Sequence, residues 1–127
     1  MNIKQISPSL GAVVFGLNLK DLEQEDRVKE LRALWLKYQV LVFRKQELLP
    51  QDFIHLALKF GSPDIYPFLK GLDGFPEITP VLKKETETVN FGGIWHSDTT
   101  YQPCPPMATM LYSLELPPIG GDTLFAN

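Results

Sequence analysis

A single cysteine, Cys104, stands in a chain of 127 residues, so no intrachain disulfide can form and the fold has to rest on packing. That thiol sits in the stiff run Pro103-Cys104-Pro105-Pro106 with no second thiol nearby, which fits a reducing, cytoplasmic setting. Long apolar runs are also missing. Nothing approaches the roughly 18 residues that would suggest a membrane span, and Met1-Asn2-Ile3-Lys4-Gln5 leads into no apolar segment of the signal-peptide kind. Neither a membrane partner nor export is expected. An excess of one charge is absent too: 12 basic against 15 acidic residues give a formal net charge of -3. Lys29, Arg32, Lys37, Lys83 and Lys84 are interspersed with acids rather than gathered in a stripe, so nucleic acid is not expected as a partner. There is no internal repeat and no low-complexity segment.

What is present is the composition of a folded protein. Hydrophobic residues make up 44% and charged residues 21%, too apolar for a disordered chain, and the length suits one domain. Residues 3–19 read as short extended pieces broken by Ser7-Pro8, Gly11 and Gly16, with Ala12 to Phe15 as a strand. From Asp21 to Tyr38, Val28, Leu31, Leu34, Trp35 and Tyr38 recur at three- and four-residue steps while Glu25, Lys29, Arg32 and Lys37 take the other face. That spacing predicts an amphipathic helix. Val40 to Phe43 follows as a short apolar run suited to a buried strand between two helices. Pro50 fits the first turn of a second helix, Gln51 to Phe60, which Gly61 can end.

Glycine and proline then dominate residues 61–80, which read as a loop with at most a short strand around Ile78; a loop this long in a compact domain is often functional. Lys83 to Thr88 is a solvated stretch, followed by three strand-like pieces at Asn90 to Asp98, Ala108 to Leu116 and Thr123 to Asn127. Pro117-Pro118-Ile119-Gly120-Gly121 is the turn between the last two. The fold class expected is α+β.

The stretch most informative for chemistry is Phe91 to Tyr101, which contains Trp95-His96-Ser97-Asp98. On a strand, residues two apart share a face about 6.6 to 6.8 Å from one another, so His96 and Asp98 could converge on one ion. An imidazole and a carboxylate are two-thirds of the facial triad used by non-haem iron(II) oxygenases, which leaves neighbouring positions open for a keto acid and dioxygen. A lone His-x-Asp pair is more simply a surface hydrogen bond. Here it is accompanied by the bulky Trp95 and Tyr101, by Gly92-Gly93, which permits close backbone approach, and by Gly120-Gly121-Asp122-Thr123 downstream.

Taken together, these landmarks resemble the taurine dioxygenase (TauD/TfdA) family. The resemblance is carried by Trp95 to Asp98, by Ala108 to Leu116, by Pro117-Pro118 before Gly120 to Thr123, by the 27-residue interval from His96 to Thr123, and by Phe60-Gly61 followed by Pro67. It implies the N-terminal part of a double-stranded β-helix, or jelly roll, with two flanking helices, and an Fe(II)- and 2-oxoglutarate-dependent dioxygenase that hydroxylates a small organic molecule of the sulfonate, sulfate ester or carboxylate class. His96 and Asp98 would be the first two iron ligands, and Thr123 would hydrogen-bond a carboxylate of 2-oxoglutarate. Tyr66 and Tyr101 are candidates to line the substrate pocket, though each could equally be core filler.

The resemblance also has departures. The family's taurine-binding His before Pro67 is Tyr66 here, the Tyr soon after it is Leu69, and the Asn four residues before His96 is Gly92. The family's second iron-binding His and its Arg for the keto acid lie farther downstream, so residues 1–127 are expected to form one partial domain, truncated at its C-terminus and poorly active alone. His55, between Ile54 and Leu56, reads as an ordinary helix residue rather than the missing ligand. A different class of reading is a non-catalytic fragment that binds metal weakly or self-associates, as a homo-oligomer, through unpaired strand edges. A zinc hydrolase ranks last, because catalytic zinc wants three protein ligands and a water.

Overall fold

The computed structural model describes residues 1–127, and all of its helices and strands lie before residue 59. Strand β1 (Asn2–Gln5) and strand β2 (Ala12–Phe15) pair antiparallel, and strand β3 (Leu41–Phe43) pairs parallel to β2, giving the sheet order β1-β2-β3. A parallel pair needs a crossover, and helix α1 (Glu25–Tyr38) supplies it, with helix α2 (Pro50–Leu58) following β3. Gly11 closes the β1–β2 connection at φ +89°, a conformation that favours glycine, and its carbonyl accepts from the Ile6 amide at 2.9 Å.

The core sits where the sheet, the two helices and the turns between them meet. Val14, Leu19, Leu22, Leu31, Leu48 and Leu56 form one buried cluster, and Leu31 is the most deeply buried, at 1% exposure. Val28 and Leu34 pack on the same cluster from α1, as the three- and four-residue spacing predicts. The helix starts later than its periodicity suggests. Leu19–Asp21 is a separate 3-10 turn capped by Asn18, whose side chain accepts from the Lys20 amide, and Leu22 then leaves helical geometry to enter the core at 3% exposure. Burying that leucine takes precedence over another helical turn. At its far end α1 stops at Gln39, which takes the left-handed region at φ 64°. The Tyr38 and Val40 carbonyls freed there accept from the amides of Gly11 and Ala12, which fastens the helix end to β2.

Helix α2 begins at Pro50, one residue before the sequence boundary, with the Asp52 carboxylate accepting from the Leu49 amide at 2.9 Å. It ends at Leu58, and its last turn tightens through Lys59 N to Leu56 O and Phe60 N to Ala57 O. Gly61 adopts no left-handed cap. β3 is half-buried at the sheet edge rather than enclosed. Gln46, just after it, accepts from the Leu19 amide at 2.8 Å and donates to the Leu17 and Arg44 carbonyls, tying β3's exit to the entry of the 3-10 turn.

Beyond α2 the sequence reading needs correction. The strand expected around Ile78 is absent: Ile78 closes a series of turns, accepting from Leu72 and donating to Phe75 around Gly74. The pieces expected as strands at residues 90–98, 108–116 and 123–127 carry no ladder. Their composition favours extended backbone, but a strand is completed only by a neighbour that accepts its hydrogen bonds, and within residues 1–127 these segments pair with none. Many of their apolar side chains stand in solvent, Ile94 at 82% and Leu114 at 83% exposure among them. Two are exceptions, since Met110 and Tyr112 pack on the core cluster. No helix is long and apolar enough to cross a membrane.

Candidate metal centre

His96 and Asp98 meet without the strand that the sequence suggested. His96 Nε2 lies 3.2 Å from Asp98 Oδ1, with both side chains about half exposed. Each group is also held from behind. The Nδ1 of His96 is 2.7 Å from the Ile94 carbonyl oxygen; a carbonyl only accepts, so Nδ1 carries a hydrogen, and Nε2 is the ring nitrogen turned to the carboxylate. On the other side, the Thr109 hydroxyl donates to Asp98 Oδ2 at 2.7 Å. A hydrogen bond between the Ser97 and Thr100 hydroxyls at 2.8 Å, with Gln102 N donating to Thr99 O, turns the chain sharply just past the pair.

Gly92 shapes the other flank. It has φ +67°, and a Cβ built on it would sit 3.1 Å from His96 Cε1. A side chain at that position would press on the imidazole, so glycine's bareness lets the ring rest against the backbone.

The donor set fits a divalent ion in kind and not yet in number. An imidazole nitrogen beside a carboxylate oxygen, each group backed by an outer hydrogen bond, is the arrangement that metal-ligating His and Asp adopt. No third His, Cys, Asp or Glu joins them to make a set of three. His55 is not that ligand, because its Nε2 faces Glu23 Oε1 at 3.1 Å while Lys59 reaches the other Glu23 oxygen at 2.8 Å. This network holds the Glu23 carboxyl below its usual range, through the Lys59 hydrogen bond first and that of His55 second. Asp52 is lowered likewise by its bond from the Leu49 amide, with help from Lys20. Both are struts between α2 and the turns before α1, separate from the His96–Asp98 pair.

The remaining candidates are placed less tightly. No hydrogen bond joins Thr123 to the pair, and it is exposed. Tyr66 and Tyr101 are linked through Phe68, with ring centroids at 5.5 and 6.4 Å, so the loop after α2 and the turn after Asp98 share an aromatic row. Two participants escaped the sequence reading. Phe68 carried no motif; Thr109 carried a faint signal, since alternation along 108–112 puts it opposite Met110 and Tyr112.

Comparison with known proteins places the chain in a family. The model of the family described as "Taurine catabolism dioxygenase TauD, TfdA family" matches residues 2–127. An alpha-ketoglutarate-dependent sulfonate dioxygenase of Saccharomyces cerevisiae is 30% identical over 139 aligned residues, spanning 100% of this chain and 33% of the relative. An (S)-phenoxypropionate/alpha-ketoglutarate-dioxygenase of Sphingobium herbicidovorans is 30% identical over 134, spanning 99% of this chain and 45% of the relative. The chain thus spans a third to under a half of the length of these curated relatives. A crystal structure titled as a putative alpha-ketoglutarate-dependent taurine dioxygenase from Burkholderia xenovorans superposes with a TM-score of 0.56 at 26% identity, covering 65% of this chain and 31% of that one. With the family model running from residue 2 to residue 127 and taking in both His96 and Asp98, the chain belongs to the taurine catabolism dioxygenase TauD, TfdA family.

Proposed function

We propose that residues 1–127 are the leading part of an Fe(II)- and 2-oxoglutarate-dependent dioxygenase domain that hydroxylates a small organic substrate of the sulfonate, sulfate ester or carboxylate class. The observation that carries this is the 3.2 Å approach of His96 Nε2 to Asp98 Oδ1 with both outer atoms hydrogen-bonded. The activities of the two relatives, on a sulfonate and on phenoxypropionate, support the sulfonate and carboxylate classes. Bound iron with 2-oxoglutarate would supply the oxidising chemistry, in which dioxygen is consumed, the keto acid is decarboxylated to succinate and CO2, and a substrate C–H bond becomes C–OH. In that scheme the chain's own residues bind and orient. His96 and Asp98 would hold the ion, Thr123 would donate to a keto-acid carboxylate, and the Tyr66–Phe68–Tyr101 row would offer apolar ring faces to the substrate.

The same reading makes residues 90–98, 108–116 and 123–127 strands of a jelly roll that form when paired with further strands, and the exposed thiol of Cys104 supports a reducing, cytoplasmic setting. The test is anaerobic titration with Fe(II), followed by succinate assays on sulfonates, sulfate esters and phenoxy acids. His96→Ala should abolish Fe(II) binding; unchanged affinity sinks the metal reading. Residues 1–127 alone should bind the ion weakly and turn over little, because two ligands hold a divalent ion less securely than three.

A second reading is favoured by the exposed apolar residues Val89, Ile94, Leu114, Ile119 and Leu124: these 127 residues self-associate as a non-catalytic product. Elution in size-exclusion chromatography that shifts with concentration supports it, whereas a concentration-independent monomer opposes it.

A further inference from the structure

We infer that Thr109 is a positioning residue for Asp98, selecting which carboxylate oxygen faces the metal position; this rests on the reading of His96 and Asp98 as ligands. A half-exposed carboxylate next to a turn has two equivalent oxygens and is free to rotate about its terminal bond. Only one contact in the structure breaks that equivalence besides His96 itself, and it is the Thr109 hydroxyl on Oδ2 at 2.7 Å. With Oδ2 engaged in a charge-assisted bond, Oδ1 is left toward His96 Nε2.

Thr109 can do this because its backbone is anchored three residues on. The Tyr112 hydroxyl accepts from the Leu48 amide at 3.1 Å and donates to the Gln46 carbonyl at 3.0 Å, and its ring lies 6.0 Å from that of Phe53. In extended backbone alternate side chains point to opposite faces. Met110 and Tyr112 turn to the core, while Thr109 and Leu111 turn away from it and are exposed. The segment is therefore fixed to the folded core on one face and holds Asp98 with the other. Thr109 makes no other side-chain hydrogen bond, so its hydroxyl serves the carboxylate alone, and its branched Cβ limits the rotamers it can take.

The experiment uses the 127-residue chain with Co(II) as an air-stable probe, following both affinity by calorimetry and the visible ligand-field spectrum. Thr109→Val keeps shape and removes the hydroxyl, and Thr109→Ser keeps the hydroxyl. The expected result is a loss of about tenfold or more in Co(II) affinity for Val, the magnitude usual for removing a ligand's outer hydrogen bond, a changed Co(II) spectrum, unchanged far-ultraviolet circular dichroism, and recovery in Ser. Thr109→Ala serves as a second hydroxyl-less variant should Val perturb folding, and it should match Val. If wild type binds Co(II) in a His96-dependent way and Val, Ala and Ser all bind as wild type does, the inference is overturned while the ligand reading stands. If wild type shows no His96-dependent Co(II) binding, the ligand reading falls and takes the inference with it.

Discussion

The hydroxyl of Tyr112 lies 3.0 Å from the carbonyl oxygen of Gln46, and that phenol, beside Met110 on the same core, fastens the otherwise ladderless C-terminal half to the folded N-terminal half. The same oxygen accepts from the amide of Leu48, a residue of the buried cluster. Tyr112→Phe keeps the ring against Phe53 and removes both bonds, leaving a part-buried amide and carbonyl to find other partners. A loss of about 1–3 kcal/mol is expected, read as a lower urea midpoint with an unchanged slope. If the midpoint does not move, the C-terminal segment is not anchored there.

The core makes a second, sharper contrast. Leu31 is 1% exposed and Leu36, five residues along the same helix, is 66% exposed. Leu31→Ala should cost about 2–5 kcal/mol by lost burial and the cavity left behind, whereas Leu36→Ala should stay within about 0.5 kcal/mol of wild type. Equal effects in thermal or urea unfolding would mean that α1 packs through another face.

Why one half of this molecule could be read from its sequence and the other could not follows from where hydrogen-bond partners lie. Val28, Leu31 and Leu34 report a helix because the α-helical ladder is closed within four residues, and Ala12 to Phe15 reports a strand that meets β1 across a short connection and β3 through the α1 crossover. Asp21 and Leu22 read as the start of that helix yet lie outside it, because burial of Leu22 decides the path there, and burial is not a local property. Residues 90–98 and 108–116 look like strands in composition, yet a strand's ladder is made by residues distant in sequence, and those segments meet no partner here. The spacing of His96 and Asp98 lets them share an ion, and it is Trp95, Tyr101, Gly92-Gly93 and the downstream Gly120 to Thr123 that single the pair out; Thr109 and Phe68 reach the site through turns that spacing does not encode.

Acid should loosen the docking of α2 in a defined window. Glu23 binds Lys59 and His55, and its carboxyl titrates below its ordinary value of 4.5; Asp52 binds the Leu49 amide and Lys20, and titrates below 3.8. For a depressed carboxylate the stabilisation is fully present above the unfolded-state value and is lost as pH falls through the lower folded-state value. Stability should therefore decline below about pH 4.5. In Glu23→Gln and Asp52→Asn the decline should be shallower and the stability near neutral pH slightly lower, as befits solvent-screened pairs. Identical acid limbs in wild type and both variants, followed by urea midpoints at stepped pH, would falsify this assignment.

A pair of glycines separates backbone strain from pressure on the imidazole. Gly16 and Gly92 both sit at positive φ, +71° and +67°, but a Cβ on Gly16 would meet nothing within 4 Å, while one on Gly92 would meet His96 Cε1 at 3.1 Å. Alanine at either position forces the left-handed region, at about 1–2 kcal/mol, so both variants should lose stability to a similar degree. Only Gly92→Ala should also displace the ring, since the neighbour it meets has to give way by a few tenths of an ångström. The measurement is the His96 Cε1–H resonance in proton–carbon spectra, which should shift in Gly92→Ala and hold in Gly16→Ala. Should both variants leave that resonance in place, the imidazole does not rest against Gly92 in solution. A shift accompanied by weaker Co(II) binding would extend the result to function, because the bare backbone at residue 92 would then be what keeps Nε2 aimed at the ion rather than turned aside.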